Sequence, residues 1–135
     1  PWSGYKPADR QALMMSVHDH IAANLDELAL VETADMGSPV GRSAAVKKRL
    51  LQMIAYFASQ TNNCSGQTIP NSLPGNFTTM TLKAPVGVVG GIIPWNGPLV
   101  GQWWVLGGVL ATGCTAVLKP AEDASLSVLL TARLL

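Results

Sequence analysis

Thirty-five consecutive residues, Ala84 to Leu118, carry no charged side chain. The run reads APVGVVGGIIPWNGPLVGQWWVLGGVLATGCTAVL and ends on Lys119-Pro120-Ala121-Glu122. A stretch so apolar is either buried in protein or dissolved in lipid. Its few polar side chains, Asn96 above all, are then either satisfied structural groups or working groups.

The rest of the composition sharpens that constraint. Charged residues make up 13% of the 135, against about a quarter in an ordinary globular chain. From Leu50 to Leu118 the only charge is Lys83. A self-sufficient surface normally spreads charge of both signs, so further chain or other subunits are expected to cover much of this one. The length is that of one ordinary domain. The chain begins at Pro1 without a signal-peptide pattern, which leads us to expect a fragment or a processed chain. The net charge of +1 implies no polyanionic partner. Lys47-Lys48-Arg49 reads as a solvated helix face rather than a nucleic-acid site. Cys64 and Cys114 form no metal-binding or redox spacing, and no metal site is expected. So few cysteines suit a reducing compartment, and we expect a cytoplasmic protein.

Along the chain, the first third reads as helices. Pro7 fits a first helical turn. Leu13, Val17, Ile21 and Leu25 recur every four residues as one apolar stripe. A second helix runs through Leu28, Leu30 and Val31 to Met36, stopped by Gly37. Pro39 opens a third, with Val46, Leu50, Met53, Ile54 and Phe57 on its buried side. Breakers fill 61–76. Gln67–Ile69 and Phe77–Leu82 read as two short strands. Val86–Ile93 is a short Val- and Ile-rich run, expected as a strand covered on both faces. Leu99–Thr112 reads as a buried helix, apolar nearly all round. Thr115–Leu118 reads as a second strand, and Ser125–Leu135 as a helix with Asp123 or Ser125 as N-cap. Strand, helix, strand and helix in that order give a βαβ unit with a parallel pair.

In open parallel sheets, ligands bind beyond the carboxyl ends of the strands. Ile93-Pro94-Trp95-Asn96 follows the first buried strand, and Lys119-Pro120-Ala121-Glu122 closes the second. One cleft floored by both ends would offer an aromatic face, an amide, an ammonium and a carboxylate, a set that suits a nucleotide. A plainer reading stands beside this one. Asn96 caps the helix at Leu99 or bonds its own turn, Trp95 is core, and Lys119 and Glu122 are an exposed pair. Gly87, Gly90 and Gly91 do not meet the G-x-G-x-x-G order. His18 and His20 read as surface residues.

The segments A-P-V-G-V-V-G-G-I-I-P-W-N-G-P-L and L-A-T-G-C-T-A-V-L-K-P-A-E resemble the cofactor-binding part of the NAD(P)-dependent aldehyde dehydrogenase superfamily. Leu25-Asp26-Glu27-Leu28-Ala29 and Gly66-Gln67-Thr68-Ile69-Pro70 resemble it too, so the similarity covers essentially the whole chain. The resemblance implies an α/β fold, an incomplete three-layer Rossmann-like parallel sheet preceded by helices and a β-arm. Residues 1–66 would be the helical part of the cofactor-binding domain, 67–85 the β-arm used in subunit association, and 86–135 the βαβ cofactor-binding segment. It implies oxidation of an aldehyde to a carboxylic acid through a cysteine thioester. NAD would be the hydride acceptor, with NADP possible, and the full-length form would be a dimer or tetramer.

Asn96 matches the amide that donates to the developing oxyanion. Ile92, Ile93, Pro94, Trp95, Asn96, Lys119, Pro120, Ala121 and Glu122 match cofactor-binding positions, with Lys119 and Glu122 on the adenosine ribose. Neither Cys64 nor Cys114 matches the family's nucleophile, which lies downstream with the general-base glutamate, so the chain alone is expected to be inactive. Gly97 stands where the family often has Phe, and Val105 where it often has Lys after a Trp. Two readings compete with the enzyme. Leu99–Leu118 is long enough for a membrane span, with Gly97 and Gly101 as a G-x-x-x-G. A nucleotide-binding module without turnover is the other.

Overall fold

The computed structural model describes residues 2–135, apart from the side chains at 43 and 44. Helices α1 (Pro7–Ala23), α2 (Leu25–Met36) and α3 (Ser43–Gln60) come first. A small hairpin, β1 (Thr68–Ile69) with β2 (Thr79–Met80), follows. The charge-free run then forms β3 (Val88–Ile93), α4 (Pro98–Ala111) and most of β4 (Thr115–Pro120), and α5 (Leu126–Leu134) closes the chain. β3 and β4 pair in parallel, Val88 opposite Thr115 and Ile93 opposite Pro120, so the crossover through α4 is a βαβ unit. The hairpin is antiparallel, with Thr68 opposite Met80.

The core lies between helices. Ile21, Leu25, Leu28, Leu50, Met53, Ile54, Leu99, Trp103 and Leu106 form one cluster of buried residues. α4 also rests on the sheet, with Val105 against Gly91 and Gly101 against Ile93. Only one face of the sheet is covered. Val88, Ile92 and Val117 are 72%, 82% and 66% exposed, while Ile93 is 1% exposed. The expectation of a strand buried on both faces is therefore corrected. An unbroken Val/Ile run reports what a strand can bury, and these residues supply helices to one face only.

Other expectations shift in detail. α1 ends at Ala23, so Leu25 belongs to α2. Leu13 is 43% exposed, and the buried face of α1 runs through Arg10, Met14 and Ile21. Gly37 stops α2 in the left-handed conformation, φ +73°, as read from sequence. β4 extends to Pro120, two residues past the expected strand. α4 is buried on one side only, with Trp104 67% exposed. The membrane reading fails because Leu99–Leu118 divides into a helix and a strand. No helix among the described residues is long and apolar enough to cross a membrane. The 14 residues of α4 reach about 21 Å, short of the ~30 Å hydrocarbon layer.

The glycine pair inside α4 does not interrupt it. Gly107 is where the helix meets Phe57 of α3, and a Cβ there would overlap the aromatic ring. At Gly108 the nearest atom would be Phe57 Cε1 at 3.7 Å, an ordinary contact.

Neither helix after the sheet is capped by its own preceding residue. Leu99 N donates to Glu32 Oε1 at 2.9 Å, and Leu126 N donates to Asp35 Oδ2 at 2.8 Å. Asp123 and Ser125, the sequence candidates for the second cap, are displaced by Asp35. Glu32 is 5% exposed. Burial raises its pKa above the ordinary 4.5, opposed by the Leu99 bond and by the Arg42 charge.

Two outcomes are expected in the protein carrying this segment. Gly107→Ala lowers the urea midpoint, because overpacking by one methyl costs about 1–3 kcal/mol and outweighs the ~1 kcal/mol gain in helix propensity. Gly108→Ala holds or raises the midpoint. For Glu32, the folded state binds the proton more tightly than the unfolded chain. Its contribution to stability therefore falls as pH rises from 4.5 through the raised value. Glu32→Gln, which keeps an acceptor for Leu99 N, flattens that part of the pH profile. Glu32→Ala strands the N–H and costs about 1–3 kcal/mol at every pH. Denaturant titrations at several pH values check both.

Candidate functional site

The carboxyl ends of β3 and β4 lie side by side. Ile92 faces Lys119 and Ile93 faces Pro120 in the register, and Ala121 N donates to Ile93 O at 2.9 Å. Parallel pairing thus brings together the two segments singled out from sequence. The side chains then part according to the strand's two-residue period. Ile92 and Lys119 point to the bare face, while Ile93 points into the core and its side chain is unavailable to a ligand. Trp95 is 60% exposed, which removes the reading of it as core.

Lys119 Nζ donates to Glu122 Oε1 at 2.7 Å and to Pro120 O at 3.3 Å. The hydrogen bond from Lys119 holds the Glu122 carboxyl below the usual carboxylate range. Both side chains are exposed. Glu122 is therefore ionised at neutral pH, and the pair is open to a polar ligand, with a donor and an acceptor at one spot.

Asn96 is exposed in the turn between β3 and α4. Among the described residues its side chain has no hydrogen-bond partner, and the backbone N–H of Leu99 goes to Glu32 instead. The reading of Asn96 as a helix cap is therefore set aside. Asn96 lines a cavity of about 410 Å³ together with Pro94 and Gly97. The opposite walls come from α2 and from the start of α3, with Glu32, Arg42 and Arg49, and the exposed ring of Trp104 closes one side. Where a side chain on Gly97 would begin, the space is open.

The structure divides the single cleft expected from sequence. Pro94 and Asn96 belong to the cavity, and Trp95, Lys119 and Glu122 do not. Sequence reading also missed Glu32, Arg42 and Arg49 as wall residues. The signal for Glu32 was a carboxylate four residues after Leu28 on the apolar side of α2. That for the arginines was a spacing of seven, which returns to the same helix face. Cys64 and Cys114 both line a different cavity, near Arg10 and Pro85. Cys114 precedes β4, at the opposite end of the sheet from Asn96. The Thr112 hydroxyl, 3.6 Å from Cys114 Sγ, holds the thiol below its usual value.

The same fold recurs in known proteins. Residues 1–135 match the model of the Aldehyde dehydrogenase family. The mitochondrial aldehyde dehydrogenase of Rattus norvegicus is 40% identical over 136 residues, covering 100% of this chain and 26% of that protein. Betaine aldehyde dehydrogenase of Hordeum vulgare is 40% identical over 131 residues, 96% of this chain and 26% of that protein. The NAD+ complex of an aldehyde dehydrogenase from Bacillus cereus matches with a TM-score of 0.92 at 42% identity, covering 99% of this chain and 27% of that one. The chain thus spans 26–27% of the length of these relatives. Sequence agreement along the whole of this chain and close superposition lead to one conclusion: the chain belongs to the aldehyde dehydrogenase family.

Proposed function

We propose that the protein carrying this segment oxidises an aldehyde to a carboxylic acid with NAD as hydride acceptor, by way of a cysteine thioester. The observation that carries this reading is the Asn96 amide on the wall of a cavity, exposed and without a hydrogen-bond partner among the described residues. An amide donates without titrating, and a donor aimed at a carbonyl oxygen gains most as that oxygen becomes charged. A module that binds nucleotide without turnover has no use for such a donor.

The strand ends fit a dinucleotide. NAD, when bound, accepts the hydride. Lys119 would donate to the adenosine ribose, and Glu122, ionised beside it, would accept from the 2′-hydroxyl. That carboxylate repels a 2′-phosphate, which favours NAD over NADP. The NAD+ bound to the Bacillus cereus relative supports the assignment. Ile92 and Trp95, exposed next to these groups, offer apolar walls to the cofactor, and Pro120 and Ala121 hold the strand end that presents the pair.

Neither cysteine shares the Asn96 cavity, so the nucleophile is assigned to a part of the protein outside these 135 residues. A reducing, cytoplasmic setting suits that thiol. Residues 1–66 then form the helical part of the cofactor domain and 86–135 its βαβ segment. Residues 67–85 serve as an arm between subunits of a dimer or tetramer. Leu73, Phe77, Met80 and Leu82 on the arm are 58–84% exposed, a surface suited to a partner.

Asn96→Ala in the full protein is expected to lower kcat by about 10²–10³-fold while the Kd for NAD holds. A wild-type kcat would remove Asn96 from the oxyanion role. The isolated segment is expected to reduce no NAD with any aldehyde.

A further inference from the structure

We propose that the Asn96 cavity selects an aldehyde with a carboxylate at its far end, held by Arg42 and Arg49. The inference rests on the reading of Asn96 as the donor to the reacting carbonyl. The cavity's size, about 410 Å³, falls within the ~300–1,000 Å³ range of small-molecule sites. Asn96 and Gly97 form one wall, and the two arginines stand on the α2–α3 side. Arg42 lies immediately before α3, and Arg49 is seven residues on, nearly two turns along the same face.

The charge balance favours an anion. The ion pairs among the described residues are His18–Asp19, Lys47–Asp26 and Lys119–Glu122, and neither arginine takes part in one. Lys47, on the same helix, does find a carboxylate. The single acidic group of the cavity wall is Glu32. Its Oε1 is occupied by Leu99 N, and it is one carboxylate against two guanidinium groups on the wall. The first turn of α4, with its positive dipole end, also borders the cavity through Gly97, Val100 and Gly101.

The shape fits a short carbon chain between two polar ends. Gly97 leaves open space beside Asn96, and the exposed ring of Trp104 gives an apolar flank. A guanidinium is suited to a carboxylate because its planar fork matches both oxygens. A quaternary ammonium at the same place would face two cations.

The test uses the full-length enzyme with three probes of similar size: 4-oxobutanoate, butanal and trimethylammonioacetaldehyde. The expected order of kcat/KM is anionic, then neutral, then cationic. Wild type favours 4-oxobutanoate over butanal by about tenfold or more, the scale of one charge-assisted hydrogen bond. In R42Q/R49Q the 4-oxobutanoate-to-butanal ratio falls by a similar factor, mainly through KM for the anion. An unchanged ratio, or a wild type that prefers butanal or the cationic probe, overturns the proposal. If butanal is oxidised and Asn96→Ala abolishes that activity while the ratio stays flat, only the substrate class fails. If no aldehyde is oxidised, the underlying reading fails with it.

Discussion

Two carboxylates one turn apart on α2 fix where the later helices begin. Glu32 and Asp35 each accept a backbone N–H from the first turn of another helix, α4 and α5 respectively. A helix N-terminus leaves its first N–H groups without partners and carries a partial positive charge. A side-chain cap is typically worth about 1 kcal/mol. Supplied from a different helix, the cap also fixes position. α2 thereby sets where α4 and α5 begin relative to the strand ends that precede them. A second polar tie runs between the same helices, since Gln102 donates to Thr131 Oγ1 at 3.0 Å and Thr131 donates to Ser127 O at 2.8 Å, all three residues buried.

That arrangement decides what the turn after β3 can do. An asparagine three residues before the first amide of a helix ordinarily turns its side chain back to cap it. Here that N–H is already taken by Glu32, so the Asn96 oxygen as well as its NH2 group remains open to the cavity. The cost falls on Glu32, whose carboxylate is desolvated and whose pKa rises.

Much of this was legible in the sequence, and the failures have physical causes. The order β3, α4, β4 followed from apolar runs of strand and helix length separated by Pro94, Pro98 and Gly113. The adjacency of the Asn96 and Lys119 segments followed from the parallel pairing. The α1 stripe went wrong because Leu13 and Met14 differ by one position, and a four-residue period drifts around a 3.6-residue helix. Tertiary contacts chose the Met14 side and buried Arg10 with it. The long-range caps were invisible because 67 and 91 residues separate donor and acceptor. Capping rules read only neighbours along the chain. The two faces of the sheet could not be told apart either, since Val and Ile satisfy both a covered and a bare face.

The bare face gives the division of the site its meaning. On β3, Ile92 and Ile93 are neighbours in sequence with opposite fates, one 82% and the other 1% exposed. Lys119 shares the open side with Ile92, while the Asn96 cavity forms among α2, α3 and α4 beyond the strand end. The turn Pro94–Gly97 is where the chain passes from the first environment to the second. Pro94 lines the cavity and Trp95 does not, so the changeover occurs within adjacent residues. A reaction that joins a dinucleotide to a separate small substrate needs such a place, where one ligand's end meets the other's. The side chain standing at that junction should donate a hydrogen bond without carrying charge. Under the proposed reaction Asn96 would meet that requirement, and an aspartate of the same shape would not.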